Sequence, residues 1–344
     1  AVMRGLHNGH GFGTTELIVA RPSEGTTTSD YLHRLFTSRS FRMLGEAAMY
    51  GAGGQKRVPD DFVRDFAVAF PPLSEQTAIA TFLDHETAKI DALVAEQEKL
   101  IALLQEKRQA VISHAVTKGL NPDAPMKDSG VDWLGEVPAH WGVSALSYLS
   151  SIETGSTPDR AVPRYWNGSI PWLKTGEINW SPIREAEEFI TEEGLANSAA
   201  KLSKPGTLLM AMYGQGVTRG RVALLEIEAT YNQACAAITF GSRLLPTYGR
   251  YFFVAAYDHI REGGNETSQM NLSAGLIAKF RLTVPPSHEQ NAIVSFLDKE
   301  THRLDELVSE AEAVIELLQE RRTALVSAAV TGQIDVRGWA KAAQ

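Results

Sequence analysis

Residues 71–117, PPLSEQTAIATFLDHETAKIDALVAEQEKLIALLQEKRQAVISHAVT, recur at 285–331 as PPSHEQNAIVSFLDKETHRLDELVSEAEAVIELLQERRTALVSAAVT. The two copies align without a gap at an offset of 214 residues, and 27 of their 47 positions are identical. A long internal match indicates that one structural unit is used twice in the 344-residue chain.

Each copy predicts one long helix, over 75–116 and over 288–330. In the first copy Leu83, Ile90, Leu104 and Val111 fall on a seven-residue step, which Gln97 interrupts once. An apolar stripe at this period is typical of an amphipathic helix. The second copy repeats the stripe with Leu297, Leu304, Leu307, Val308, Val314, Ile315, Leu318 and Leu325.

Residues at the ends of both copies support these bounds. A pair of prolines precedes each predicted helix, and Gly119 and Gly332 follow the ends, where glycine is usual. Ser74 is a candidate N-cap for the first helix. Ser287 with Gln290 forms a possible capping box for the second.

An apolar stripe of this length requires a partner surface. Either each helix packs on its own domain or the two helices pack on each other. Because both carry the same stripe and long heptad patterns favour coiled coils, we expect them to pack on each other. The antiparallel arrangement is expected, since parallel packing would remove the rotational pseudo-symmetry that the repeat implies.

The segments outside the helices predict α+β domains. In residues 135–284, short β-rich runs alternate with Gly, Pro and Asn turns, and one helix is expected at about 248–261. Residues 1–70 contain TTELIVARP (14–22), expected as a strand, and SDYLHRLFTSRSFRML (29–44), expected as a helix. The repeat extends upstream, since 55–58 aligns with 269–272, so we expect one domain type to be used twice.

Composition excludes several classes of protein. The net charge of −8 resides in the two helical copies, which hold seven acidic against four basic and nine acidic against four basic residues. A single cysteine, Cys235, excludes a disulfide framework. No adenine-methyltransferase NPPY or DPPY tetrapeptide, Walker lysine motif or metal-ligand spacing of histidines occurs. We therefore expect a cytoplasmic protein with no metal site and no intrinsic catalytic activity.

Successive blocks of the chain resemble the target-recognition domain of Type I restriction–modification specificity subunits. In chain order they are DWLGEVPAHW (132–141), TGSTP (154–158), YWNGSIPWLKTGEI (165–178), PGTLLMAMYGQGVTRGRVALL (205–225) and ATYNQACAAI (229–238). The 71–117 and 285–331 helices are similar to the two conserved regions of that family. Equivalents of the first blocks are absent before residue 70, so we expect the first domain to be incomplete at its N-terminus.

The resemblance implies a fold and a mechanism. Two target-recognition domains of mixed β-sheet and short helices would be joined by two long helices packed as an antiparallel coiled coil. Each domain would recognise a few base pairs of double-stranded DNA, which gives a bipartite target with a non-specific spacer. The helices would bind two modification subunits, and restriction subunits would join the complex. S-adenosylmethionine, ATP and Mg²⁺ would bind to those partner subunits, and this chain would bind no cofactor.

The family's organisation predicts the domain boundaries. They are the C-terminal part of the first recognition domain at 1–70, the first conserved helix at 71–118, a linker at 119–134, the second recognition domain at 135–284, the second conserved helix at 285–335 and a tail at 336–344.

DNA-contacting residues are expected in polar loops, because base edges require hydrogen-bonding side chains and phosphates require donors or cations. Asn232 and Gln233 could bond adenine or could satisfy buried backbone, and both alternatives stay open. For the others the alternative is a solvated turn. The candidates are Tyr213, Gln215, Thr218, Arg219, Arg221, Lys174, Thr175, Asn179, Asn232, Gln233, Ser268, Gln269 and Asn271, with Gln55, Lys56 and Arg57 in the first domain.

The acidic faces of the helices exceed what mutual packing requires. We expect Glu96, Glu98, Glu310 and Glu312 to contribute to binding modification subunits; the alternative is a solvated helix face. A coiled-coil scaffold without sequence-specific DNA recognition is the rival function. It accounts for the helices but not for two turn-rich domains of one kind.

Overall fold

The structure of the chain is a computed structural model that describes residues 2, 13–14, 16–51, 56–214, 217–262 and 272–339. Its internal contacts define two compact units. The first unit comprises residues 1–103 with 307–344, and the second unit comprises residues 104–306. Among the helices of the described residues, none is long and apolar enough to cross a membrane.

The described residues contain both helices and mainly antiparallel sheets, which confirms the α+β class. The helices are α1 (Ser29–Thr37), α2 (Arg39–Ala47), α3 (Asp60–Arg64), α4 (Leu73–Lys118), α5 (Glu192–Ala196), α6 (Pro246–Ala255), α7 (Tyr257–Glu262), α8 (Ala274–Lys279) and α9 (Ser287–Val330). The strands are β1 (Met126–Asp128), β2 (Glu136–Pro138), β3 (Gly142–Ala145), β4 (Ser150–Thr154), β5 (Trp166–Leu173), β6 (Glu188–Ile190), β7 (Leu208–Ala211), β8 (Val222–Leu224), β9 (Thr230–Tyr231), β10 (Cys235–Phe240) and β11 (Arg281–Val284).

Helices α4 and α9 confirm the two long helices predicted from the repeat, with 46 and 44 residues. Gly119 and Gly332 follow their ends with φ of +77° and +74°, the left-handed backbone that glycine adopts most readily. The capping box expected at Ser287 and Gln290 does not form, because the Gln290 side chain bonds to other backbone groups.

Buried positions of the two helices follow a heptad spacing. In α4, positions 90, 94, 97, 101 and 104 are buried or half-buried, with steps that alternate between four and three residues. Their counterparts in α9, at 304, 308, 311, 315 and 318, are buried or half-buried in the same way. Steps of three and four keep these positions on one side of a helix, which is the seam of a coiled coil.

In the first unit the two helices pack antiparallel. Leu83 of α4 and Val326 of α9 belong to one core cluster, and Asp91 forms an ion pair with Arg322 at 2.9 Å. As α4 advances from Leu83 to Asp91, its contact on α9 moves back from Val326 to Arg322. The antiparallel arrangement expected from the repeat is therefore present here.

The second unit contains the equivalent helix pair. Ile112 and Leu297 share its core cluster, and Arg108 lies 3.0 Å from Asp305. Arg108 and Asp305 stand 214 positions from the Arg322 and Asp91 of the first ion pair. Both units thus contain the same contact with the two copies of the repeat exchanged.

A buried glutamine fastens each globular part to its long helix. In the second unit Gln290 Nε2 donates to the carbonyls of Arg243 and Pro285 at 2.9 and 2.8 Å. Its Oε1 accepts from the amide of Leu245, the N-cap of α6, at 2.8 Å. Gln76 is the equivalent glutamine of the first unit. Its side chain donates to the carbonyls of Thr26 and Pro71 and accepts from the amide of Thr28, the N-cap of α1.

A buried tyrosine repeats the same correspondence. Tyr248 of α6 donates its hydroxyl to the carbonyl of Val116 at 3.1 Å, and Tyr31 of α1 donates to Val330 at 3.2 Å. Val116 and Val330 are repeat counterparts. Helix α1 is therefore the counterpart of α6, which supports the expectation that one domain type is used twice.

The second unit is built on a four-stranded antiparallel sheet in the order β4-β10-β7-β8. Alternate residues bury opposite faces: Leu208 and Met210 pack with α6 and the long helices, whereas Leu209 and Ala211 pack with Tyr231 and its neighbours. A sheet in the order β6-β5-β9 lies in the same unit. Strands β3 and β11 form a further antiparallel pair.

Two expectations for residues 1–70 were wrong. Residues 16–22 form no strand, and Leu17 and Val19 are 63% and 66% exposed; a strand requires a hydrogen-bonded partner, and no described strand pairs with them. The helix expected over 29–44 is interrupted at Ser38, whose Oγ accepts from the amide of Phe41 and caps α2.

Two details of the second unit also differ from expectation. The helix expected at about 248–261 is two helices, α6 and α7, with the chain turning at Ala256. The segment expected as a linker, 119–134, contains β1, which pairs with β2. Pairing with a neighbouring strand, rather than local composition, gives this segment its structure.

Substitution of Gln290 tests the buried glutamine contact. Gln290→Ala should lower the free energy of unfolding by about 1–3 kcal/mol, because it leaves buried backbone groups without partners. Gln290 is 1% exposed. The control Gln105→Ala, at an exposed position of α4, should change stability by no more than about 0.5 kcal/mol. Urea unfolding measures both, and equal midpoints for the two variants would contradict the assignment.

Candidate nucleic-acid interface

Three loops of the second unit leave the four-stranded sheet at one edge. Strand β10 begins at Cys235, opposite the end of β7 at Ala211. Strand β4 ends at Thr154 and β8 begins at Val222 along the same edge. The loop after β4, the loop between β7 and β8 and the turn before β10 therefore emerge together.

The end of β5 reaches the same place. Strands β5 and β9 are parallel, with Leu173 opposite Tyr231, and the amide of Asn232 donates to the carbonyl of Leu173 at 2.9 Å. Lys174 follows Leu173 directly, and Gln233 follows Asn232. The fold thus brings candidates from two separate sequence blocks, 165–178 and 229–238, to one edge.

The loop between β7 and β8 is tied to two neighbouring segments. Tyr213 is 36% exposed, and the amide of Leu272 donates to the carbonyl of Met212 at 3.0 Å. Arg219 Nη2 donates to the carbonyl of Arg261 at 3.1 Å. These bonds hold the Tyr213 loop against Arg261 and Leu272, although 42 residues separate Arg219 from Arg261 and 60 separate Met212 from Leu272.

Some candidates lie outside the described residues, and their DNA contacts stay predictions. They are Gln215, Ser268, Gln269, Asn271 and Gln55.

Arg221 lies half-buried at the end of the same loop. Its Nε is buried and has no hydrogen-bond partner within the described part of the chain. Buried polar atoms in folded proteins are normally hydrogen-bonded. The amide of Arg221 donates to the carbonyl of Thr218 at 3.1 Å, which places both half-buried candidates in one turn.

Lys174 is already paired with two carboxylates. Its Nζ lies 2.9 Å from Glu187 and 3.0 Å from Glu188. Hydrogen bonds to Glu187 and then Glu188 raise the pKa of Lys174. The lysine is therefore a firmly charged cation, but a phosphate would have to compete with both carboxylates for it.

Thr175 and Asn179 belong to the chain that continues from β5. Thr175 begins a short 3₁₀ helix, Thr175–Glu177. Asn179 is exposed, and its Oδ1 accepts from the amide of Ser181 at 3.3 Å. The structure gives Asn179 a turn-forming role, and its DNA contact stays a prediction.

The two residues left open by the sequence differ in environment. Asn232 is half-buried, and its Oδ1 accepts from the amide of Ala234 and from Cys235 Sγ at 3.1 and 3.2 Å. The oxygen that a bidentate adenine contact requires is therefore used by the turn. Gln233 is exposed, and its Oε1 accepts from Thr157 Oγ1 at 2.5 Å.

In the first unit, Lys56 and Arg57 are exposed. Arg57 forms an antiparallel bridge with Tyr50 and an ion pair with Glu16 at 2.6 Å. The two cations therefore stand where the 50–57 loop closes. Their contact with DNA stays a prediction.

Thr157 and Arg160 lie near the candidate residues, although neither is among the DNA contacts expected from the sequence. Arg160 stacks 3.6 Å from the centre of the Trp166 ring and bonds to Glu188 at 2.5 Å. Trp172 is a core residue, 2% exposed, whereas Trp166 is half-buried. The TGSTP block was the available signal, but its proximity to Gln233 depends on strand pairing that the sequence does not give.

The acidic candidates on the long helices are all exposed: Glu96, Glu98, Glu310 and Glu312. Within the first unit, exposed apolar side chains accompany them at Leu93, Leu100 and Leu103 of α4 and at the repeat counterparts Leu307, Val314 and Leu317 of α9. Spacings of seven and three residues place each set along one face of its helix. From here on, the apolar stripe means these six exposed residues, which are distinct from the buried heptad positions of the two helices.

The four glutamates divide into two pairs relative to this stripe. Glu96 lies three residues after Leu93 and four before Leu100, so it stands within the stripe of α4. Glu310 has the same position between Leu307 and Val314. Glu98 and Glu312 lie two residues from a stripe residue, which places them on another side of the helix.

The comparison with known families matches residues 138–317, just over half of the chain, to the family described as Type I restriction modification DNA specificity domain. The EcoR124I/EcoR124II specificity subunit of Escherichia coli is 25% identical over 72% of this chain and 57% of its own length. The Escherichia coli EcoAI specificity subunit is 43% identical over 30% of this chain and 17% of its own length. The chain thus spans less than two thirds of these relatives.

Solved structures share the fold. A chain from a structure of the assembly and conformational transition of the type I R-M system matches with a TM-score of 0.72 and 14% identity, over 91% of this chain and 74% of that chain. The HsdS subunit from Thermoanaerobacter tengcongensis matches with a TM-score of 0.52 and 15% identity, over 89% and 70%. Because the family match covers more than half of its residues, the chain belongs to the Type I restriction–modification DNA specificity family.

Proposed function

We propose that the chain is the sequence-specific DNA-binding subunit of a Type I restriction–modification complex. Family membership carries the proposal, and the convergence of separate polar loops at one sheet edge supports it. The second unit would recognise one half of a bipartite target, separated by a non-specific spacer from the half recognised by the other domain.

The chemistry of the edge suits DNA. Arg221 is half-buried at this edge, and a guanidinium suits either an anionic phosphate or a guanine edge. Tyr213 and Gln233 are exposed beside it and offer hydrogen bonds. Rigid strands hold these side chains, and such a scaffold suits recognition because little order must be gained on binding.

Under this proposal the chain performs no chemistry and binds no cofactor. The modification subunits, two per chain, would use S-adenosylmethionine to methylate adenine. Restriction subunits would use ATP and Mg²⁺ to translocate and cleave DNA. A scaffold without DNA recognition is not favoured, because it explains the helices and leaves the converging loops without a role.

Substitution of Arg221 tests the proposed DNA interface. In a complex with its modification subunits, Arg221→Ala should weaken DNA binding by roughly 1–3 kcal/mol if the guanidinium contacts a base. A phosphate contact would instead weaken all sequences alike and reduce the salt slope by about one. The control is Arg243→Ala, an exposed arginine beyond the opposite end of β10. Titration at several salt concentrations measures both; indistinguishable affinities would contradict the interface.

Docking of the modification subunits is proposed on the apolar stripe. Six apolar side chains of the two helices are exposed, and contiguous exposed apolar surface marks sites of protein–protein contact. Glu96 and Glu310 stand within the stripe, where they would pair with cations of the partner.

Charge reversal on the long helices tests the proposed docking surface. Reversal of all four glutamates to lysine, at Glu96, Glu98, Glu310 and Glu312, should weaken the complex with modification subunits. Reversal of Glu96 and Glu310 alone should account for most of the loss, since only these two stand within the apolar stripe. Light scattering with titrated modification subunit measures stoichiometry and affinity. An unchanged complex in the fourfold variant would show that the helices are not the docking surface.

A further inference from the structure

Two turns at the sheet edge pack closely against each other. The amide of Gly155 donates to the carbonyl of Cys235 at 3.2 Å, and the amide of Ser156 donates to Tyr231 at 2.9 Å. A Cβ added at Gly155 would lie 2.1 Å from the Tyr231 oxygen. Only glycine permits this approach, and the loop after β4 is thereby held against the turn before β10.

A hydrogen bond between side chains joins the tips of these turns. Thr157 Oγ1 donates to Gln233 Oε1 at 2.5 Å. Gln233 is exposed, and its Nε2 makes no hydrogen bond with the described residues. Because its oxygen is held by Thr157, the glutamine presents its two N–H donors at the surface.

The loop that carries Thr157 is anchored on its other side. Trp172 Nε1 donates to the carbonyl of Ser156 at 3.0 Å, and Trp166 Nε1 donates to Asp159 at 3.2 Å. Arg160 stacks on Trp166 at 3.6 Å. Three contacts with β5 side chains therefore fix this short loop, and the hydroxyl of Thr157 keeps its position toward Gln233.

We propose that Gln233, oriented by Thr157, binds a phosphate oxygen of the DNA backbone rather than a base edge. The inference rests on the proposed function. A bidentate contact with adenine would require the glutamine oxygen to accept a second hydrogen bond, in the plane of the base, while it stays bonded to Thr157. Phosphate oxygens are acceptors only, so they match a side chain that presents donors, and most protein–DNA hydrogen bonds go to the backbone.

The test uses the complex with modification subunits and a duplex that contains the motif selected by the wild-type complex. Each phosphate in turn is replaced by neutral methylphosphonate, and affinity is measured for wild type, Gln233→Ala and Thr157→Val. At one linkage the replacement should weaken DNA binding by wild type roughly three- to tenfold relative to the unmodified duplex. At the same linkage it should not weaken binding by Gln233→Ala or Thr157→Val, because neither variant makes the contact. The control Ser156→Ala removes a neighbouring hydroxyl that no described hydrogen bond uses, and it should behave as wild type.

The selected motif should be the same for wild type and Gln233→Ala. A change of preferred base in Gln233→Ala would overturn the phosphate assignment in favour of a base contact. An identical methylphosphonate profile in wild type and Gln233→Ala would overturn it as well. A wild-type complex that selects no motif would overturn the proposed function, and this inference with it.

Discussion

The antiparallel pairing of two equivalent helices is the constraint on which the rest of the structure depends. The same seam occurs in both copies, and each unit contains one Asp–Arg pair that exchanges the copies, Asp91 with Arg322 and Asp305 with Arg108. Exposed ion pairs contribute little free energy. They show instead that the register between the two helices is equivalent in each unit.

The globular parts are attached to this seam by buried polar contacts. Gln290 and Tyr248 bond backbone groups of the loops and of α4 in the second unit, and Gln76 and Tyr31 do the same in the first. Buried hydrogen bonds are directional, so they set where α1 and α6 stand on the helices. The paired helices therefore position α6, and through α6 and its sheet they position the polar loops at the sheet edge of the second unit.

The sequence was sufficient for the helices because a heptad is a local pattern, visible within each copy. It was not sufficient for the interface, because Thr157 meets Gln233 only through pairing of β4 with β10, about 80 residues apart. The strand expected at 14–22 was wrong for the same reason: composition favours a strand, but only a partner makes one. Asn232 and Lys174 were selected as polar residues, and the structure adds that a turn and two glutamates already engage them.

We propose that DNA lies against the edge of the four-stranded sheet where the polar loops converge. Tyr213 stands at that edge, and Tyr148, 78% exposed, precedes β4 at the opposite edge. A photo-crosslinking amino acid placed at each position, in the complex with modification subunits, tests the claim most directly. We expect cross-links to target DNA from position 213 and none from position 148. Cross-links from 148, or from neither position while DNA remains bound, would contradict it.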